Sequence, residues 1–206
     1  MHAMHAAPDR HAVATITAGR WKGRKLRYPH HGRVRPTMRR TKESLFSSLG
    51  TALAGCVFAD LYAGAGAVGI EALSRGARHV HFVETERDAV SMLFQNLAAC
   101  GADASRFSVH NSRVAAALSA RPCPLAGATI VFADPPYEVD ASADLLAALA
   151  PEALPALETL VVEHRAKQPL QLPAHLAMDH ERRFGDTMLS YLVPAAGAES
   201  GPGGNE

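Results

Sequence analysis

The chain has 206 residues, 48% hydrophobic and 20% charged, long enough to bury a core and too apolar to be wholly disordered. No apolar run approaches the roughly 18–20 residues of a membrane span, and MHAMHAAPDRH lacks the apolar stretch of about 7–15 residues of a secretory signal, so a cytoplasmic protein with no membrane partner is expected. Three widely spaced cysteines, Cys56, Cys100 and Cys123, argue against a disulfide framework and a cysteine zinc site, and the formal net charge of +1 conceals two unlike parts.

Residues 1–12 read as a flexible N-terminus. Residues 10–42 then carry eleven of the 21 Lys and Arg residues and no acid; the remainder holds ten basic residues against all 20 acids. Such a concentrated positive field attracts polyanions, nucleic acid first among them. ATITAGRWKGRKLRYP reads as a small β-hairpin within an extension over residues 13–36, with Trp21 and Tyr28 between the charges as a base-stacking surface would require. Pro36 precedes TMRRTKESLFSSLG, a helix for which Thr37 is the expected N-cap.

From Cys56 the pattern alternates between strand and helix. CVFADLY, HVHFVE, RFSVHN, ATIVFADPPY and ETLVVEH read as strands. GAVGIEALSRG is a helix with Ile70 and Leu73 inward, stopped by Gly76. ERDAVSMLFQNLAACG is a second, with Val90, Leu93, Phe94 and Leu97 on one face and Gly101 at its end. SRVAAALSA is a third, and ADLLAALAPEALPAL a fourth, broken by Pro151 and Pro155. AMDHERRFGDTMLSYLVP reads as a terminal hairpin turning at Gly185 and Asp186. The expected fold is therefore α/β: a mostly parallel sheet covered on both faces, with an antiparallel edge, spanning residues 37–194. The tail over residues 195–206 reads as disordered.

Gly64-Ala65-Gly66-Ala67-Val68-Gly69 is a GxGxxG loop between a strand and a helix, and Glu84 follows 20 residues after Gly64 at the next strand end. That spacing suits a nucleotide whose ribose hydroxyls are held by the carboxylate. Asp60, four residues before Gly64, opposes a pyrophosphate but suits S-adenosylmethionine, which carries an ammonium and a sulfonium. Tyr62, Ala63, Gly64, Gly66 and Thr85 complete the expected cofactor contacts around this loop.

Asp134-Pro135-Pro136-Tyr137 ends another apolar strand. An exocyclic base amine is a poor nucleophile because its lone pair is delocalised into the ring. The Asp134 carboxylate and Pro135 carbonyl can grip its two N–H groups and help carry the charge that develops on methyl transfer. Pro136 stiffens the turn, and Tyr137 can stack on a base that has been flipped or splayed out. No histidine spacing resembles HExxH, and the chemistry requires no metal.

Together these segments resemble the RsmD family of small-subunit ribosomal RNA guanine-N2 methyltransferases. The resemblance runs from about Thr15 to Val193 and rests on ITAGRWKGRKL, RPTMRRTKESLF, DLYAGAGAVGIEALSRGA, FVE, ADPPY and RRFGDTMLSYL. It implies a Rossmann-like methyltransferase fold with seven strands and a small N-terminal hairpin. It also implies S-adenosylmethionine as donor and the N2 amine of one guanine as acceptor, in 16S ribosomal RNA within the small subunit or its assembly intermediate. Arg20, Lys22, Arg24, Lys25, Arg35, Arg39 and Arg40 are the expected RNA contacts, and a monomer is expected. Two positions depart from relatives. Arg113 stands where an acid or amide near the adenine is usual, which leaves Asn111 or Ser112 for that contact, and Arg39 replaces an often acidic residue. Two other readings compete: a DNA adenine or cytosine amine methyltransferase, and an RNA-binding protein with a vestigial pocket.

Overall fold

The computed structural model describes residues 12–28, 36–136 and 141–196. The expected flexible N-terminus (save Ala12), the tail from residue 197, Arg35 and Tyr137 all lie outside the described residues.

Strands β1 (Ala12–Thr15) and β2 (Lys25–Tyr28) pair antiparallel as the expected hairpin. Helix α1 (Pro36–Leu49) starts two residues earlier than a Thr37 cap implies, so Thr37 stands inside the helix instead of capping it. Proline suits the first helical position because that turn needs no N–H bond from it. Then follow β3 (Val57–Leu61), α2 (Ala67–Ser74), β4 (His79–Glu84), α3 (Arg87–Cys100), β5 (Phe107–Asn111), α4 (Val114–Ser119) and β6 (Ile130–Ala133). Helix α5 (Ala141–Ala148), β7 (Thr159–Arg165), β8 (Leu176–Phe184) and β9 (Thr187–Pro194) complete the chain.

The seven strands β3–β9 form one sheet in the order β5-β4-β3-β6-β7-β9-β8. The first five are parallel, and β9 and β8 run antiparallel beyond β7. After β3 the chain winds outward through β4 and β5, then returns to the other side of β3 as β6. The order therefore reverses between β3 and β6, and open α/β sheets bind ligands in the crevice at the carboxyl ends of such a pair.

Both faces of the sheet are buried, which is why its strands read as continuous apolar runs. On one face Phe58, Val80, Phe82 and Phe132 pack with Leu45, Ile70, Leu93 and Leu97. On the other, Ala59, Leu61, Val131 and Val162 pack with Leu118, Leu145 and Leu149. Because strand side chains alternate, Asp60 shares the first face with Phe58 and points toward α2.

The hairpin is fastened to that face. Ile16, Trp21 and Leu26 join its apolar core. Thr17 donates from its backbone N and hydroxyl to the Glu71 carboxylate, the Trp21 N–H donates to Ser74 Oγ at 2.9 Å, and the Arg20 N–H donates to the Ser74 carbonyl at 2.7 Å. Glu71 is fully buried and pairs with Lys42 Nζ at 2.6 Å and Arg75 at 2.8 Å. Burial alone would raise its carboxyl, but the Lys42 charge and the hydrogen bonds bring it below the usual range.

Three further expectations need correction. Trp21 is only 5% exposed and cannot be a base-stacking surface, because its ring fills the seam between hairpin and body. Lys42 belongs to the basic stretch by sequence, yet it is buried against Glu71 and adds nothing to the surface field. Phe94 is 49% exposed, not inward. The buried face of α3 is Ala89, Leu93, Asn96, Leu97 and Cys100, and a polar residue takes the inward position because backbone groups there need partners.

Candidate active site

The site grows from the turn after β3. Tyr62 adopts a left-handed backbone (φ 64°), which brings the chain sharply over the strand end. Gly64 (φ +54°) and Gly66 (φ +84°) continue the loop into α2, and they are glycines for different reasons. A Cβ on Gly66 would lie 2.2 Å from Leu93 Cδ1, whereas a Cβ on Gly64 would meet nothing within 4 Å. Gly66 is a packing requirement. Gly64 keeps open the space in which a ligand would approach the backbone.

Two carboxylates hold the loop. Asp60 Oδ2 accepts the Gly69 N–H at 2.8 Å, and Glu84 Oε2 accepts the Gly64 N–H at 2.7 Å. The other oxygen of Glu84 accepts the N–H groups of Thr85 at 2.6 Å and Glu86 at 2.9 Å. Asn111 Nδ2 donates to the carbonyls of Glu84 at 2.9 Å and Thr85 at 3.2 Å, binding the ends of β4 and β5 together.

A cavity of about 420 Å³ opens at the crevice between β3 and β6. Asp60, Tyr62, Ala63, Gly64 and Asp134 line it, as does Arg39 at its α1 side. Asp60 is buried, and burial pushes its carboxyl up from 3.8 to about 7; the Gly69 hydrogen bond lowers it, and the charges of Asp134 and Glu84 add to the rise. Asp134 reaches the open space of the cavity while protein crowds it, and that partial desolvation raises it to about 6. Pro135 behind it is buried and Pro136 exposed.

Glu84, Thr85, Asn111 and Ser112 are not on the cavity wall. They stand beside it, at the ends of β4 and the adjacent β5, with Glu84 and Asn111 paired in register. Arg20, Lys22, Arg24 and Lys25 are exposed along the hairpin, and Arg39 and Arg40 along the first turns of α1. Among the described residues, the Arg24 guanidinium donates to the Ala99 carbonyl, and Arg39 Nε pairs with Glu43 at 2.9 Å.

The structure also gives the cavity residues that the sequence did not assign to it. Tyr28, read with Trp21 as part of a base-stacking surface among the charges, stands on the cavity wall, half-buried against the core. Burial, reinforced by the charges of Asp60 and Asp134, raises its phenol and keeps it a hydrogen-bond donor. Glu163 on β7 lines the cavity as well. The signal for it was present, since the acid follows the apolar run LVV as Asp134 follows its own strand. Asn96 gave no such signal. Away from the cavity, His81 Nδ1 lies 3.2 Å from His110 Nε2, and burial beside His79 and His110 pushes His81 down to about 4, so it stays neutral.

These features fit a cationic nucleoside cofactor. The wall carries the Asp60 and Asp134 carboxylates and a glycine whose missing side chain leaves room, and beside it Glu84 ends the second strand, the place of an acid that holds ribose hydroxyls. Pyrophosphate would hold Asp60 in its neutral form, whereas a cation favours the carboxylate.

The class follows from fold and site together: this is the Rossmann-like fold of the S-adenosylmethionine-dependent methyltransferases. The family described as Conserved hypothetical protein 95 matches residues 14–193, and the chain belongs to that family, the RsmD family. Ribosomal RNA small subunit methyltransferase D of Escherichia coli strain K12 is 33% identical over 187 residues, covering 90% of this chain and 92% of its own. The solved structure of yhhF from Escherichia coli superposes with TM-score 0.75 at 29% identity, covering 89% of this chain and 98% of that one. At the level of fold alone, SMU.776, solved with S-adenosylhomocysteine, shares TM-score 0.65 at 13% identity, covering 92% of this chain and 57% of that one.

Proposed function

We propose that the protein methylates the N2 amine of a guanine in 16S ribosomal RNA of the small subunit or its assembly intermediate, using S-adenosylmethionine. The observation that carries this reading is the meeting of Asp60 and Asp134 on one cavity at the crevice between β3 and β6. The cofactor supplies an electrophilic methyl on a sulfonium. Asp60, Gly64 and Glu84 hold it; Tyr62, Ala63 and Thr85 shape its surroundings, with Asn111 or Ser112 toward the adenine.

Asp134 and the Pro135 carbonyl accept the two amine hydrogens and orient the nitrogen lone pair toward the methyl. As the N–C bond forms and the S–C bond breaks, positive charge grows on the amine, and the Asp134 carboxylate stabilises it. An amine proton must then leave. A carboxylate raised to about 6 is closer in basicity to the working pH than an ordinary aspartate, which suits it to take that proton. Tyr137 stacks on the base. The exposed cations Arg20, Lys22, Arg24, Lys25, Arg39 and Arg40, with Arg35, hold the RNA backbone. The protein works as a cytoplasmic monomer.

The test is transfer of labelled methyl to small subunits from cells lacking the modification, followed by mass-spectrometric mapping. Product at one guanine N2 is expected. Methylation of plasmid DNA with none on subunits would overturn the reading in favour of the DNA amine enzyme.

A further inference from the structure

We infer that Glu163 selects guanine by accepting its N1–H beside the N2 amine held by Asp134. The inference rests on the guanine reading above and deepens it. Strands β6 and β7 are parallel neighbours, with Ala133 paired to Val162 in register. One residue further along each chain come Asp134, just past the end of β6, and Glu163, inside β7, and both line the cavity. Nothing in the amine chemistry itself requires the second acid. Asp134 and the Pro135 carbonyl already account for both amine hydrogens.

The requirement comes from the neighbouring ring atom. On guanine the exocyclic amine lies next to N1–H, so the edge presents donors in a row. On adenine and cytosine the amine lies next to a ring nitrogen bearing a lone pair. A carboxylate adjacent to the amine-gripping aspartate therefore meets a donor on guanine and an electron pair on the other two. It attracts the first and repels the others, so the same residue provides both recognition and rejection. A carboxylate has about four lone-pair sites, enough to keep a protein donor and receive the base as well. Glu163 is a specificity residue here and takes no part in the transfer.

The experiment uses the full chain and subunits rebuilt with either guanine or 2-aminopurine at the target position. 2-Aminopurine keeps the N2 amine but carries a lone pair at N1. The wild type should prefer guanine by at least about 10²-fold in kcat/KM, since sites built for a buried hydrogen bond reject analogues lacking it strongly. In Glu163→Gln the amide can turn either its oxygen to N1–H or its NH₂ to the bare N1, so the preference should fall by about tenfold or more. Glu163→Asp, which keeps the charge, should lose rate while retaining the preference. Unchanged cofactor affinity in each variant shows that the fold is intact. An unaltered guanine preference in Glu163→Gln overturns the inference and leaves the guanine reading standing. A wild type that methylates neither base overturns the guanine reading itself.

Discussion

Asn96, buried on α3, donates from Nδ2 to the Ala65 carbonyl in the glycine loop at 2.9 Å, and with the same side chain it grips the backbone of Arg27 in β2. Its Oδ1 accepts the Arg27 N–H at 2.9 Å, and its Nδ2 also donates to the Arg27 carbonyl at 3.0 Å. One amide therefore sets the distance between the hairpin and the cofactor loop, and through Arg27 it positions Tyr28 on the cavity wall. Asn96→Ala leaves buried backbone groups without partners, at a cost of about 1–3 kcal/mol for each group that water cannot reach. The expected result is a lower melting temperature together with weaker S-adenosylmethionine binding. A variant that loses stability but binds cofactor normally would show that Asn96 supports the hairpin alone.

Cofactor binding should release protons near neutral pH. Asp60 is raised to about 7 in the folded protein against 3.8 in an ordinary chain, so the native state holds a proton there that the unfolded state has lost. Between about pH 4 and 7 the ligand-free protein therefore loses stability from this group as pH rises. A cationic ligand reverses the preference by favouring the carboxylate. Calorimetry in buffers of different ionisation enthalpy should register net proton release at pH 6.5, and Asp60→Asn should abolish it. Proton-neutral binding in the wild type would mean that Asp60 serves only to hold the Gly69 N–H.

Asp134 should set the acid limb of activity. With its carboxyl at about 6, the accepting form is lost as pH falls through that value, and turnover should fall with it. Asp134→Asn should reduce kcat by about 10²–10³, the scale of removing one preorganised electrostatic contact, and should flatten the acid limb. Cofactor affinity should change little. Near-normal turnover in that variant would sink the assigned mechanism.

The strands and helices were legible because the chain is locally consistent: apolar runs end at glycines and prolines where the elements end. The glycine loop and the acids at strand ends were legible for the same reason, since each sits at a fixed offset from an apolar run. Glu163 carried the same local signal and escaped reading all the same; the rest of what escaped depends on contacts distant in sequence. Asn96 is a polar residue on an amphipathic helix, and only its meeting with Arg27 and Ala65, 69 and 31 residues away, makes it inward. Phe94, about 200° round the helix from Asn96, faces out. Trp21 sits among cations in sequence, yet the glycines around it turn the ring toward the core while the charges turn out. Lys42 was hidden in the same way, because its partner Glu71 lies on another helix.

The hairpin offers a paired test of where its charge and its tryptophan act. Lys22 is exposed at the hairpin turn, and among the described residues no side chain bonds to its ammonium, so Lys22→Ala should leave stability within about 0.5 kcal/mol of wild type. If it contacts RNA phosphate, the log–log salt dependence of subunit binding should flatten by about 0.7–0.9. Trp21→Ala removes a ring that is 5% exposed in the seam with α2, which should cost about 3–5 kcal/mol with no change in salt slope for the fraction that folds. Melting curves and filter binding across a salt series measure both quantities. A stable Trp21→Ala protein that binds RNA weakly would restore the ring as a stacking surface. A Lys22→Ala protein with an unchanged slope would remove the turn of the hairpin from the RNA interface and leave the exposed arginines of α1 to form it.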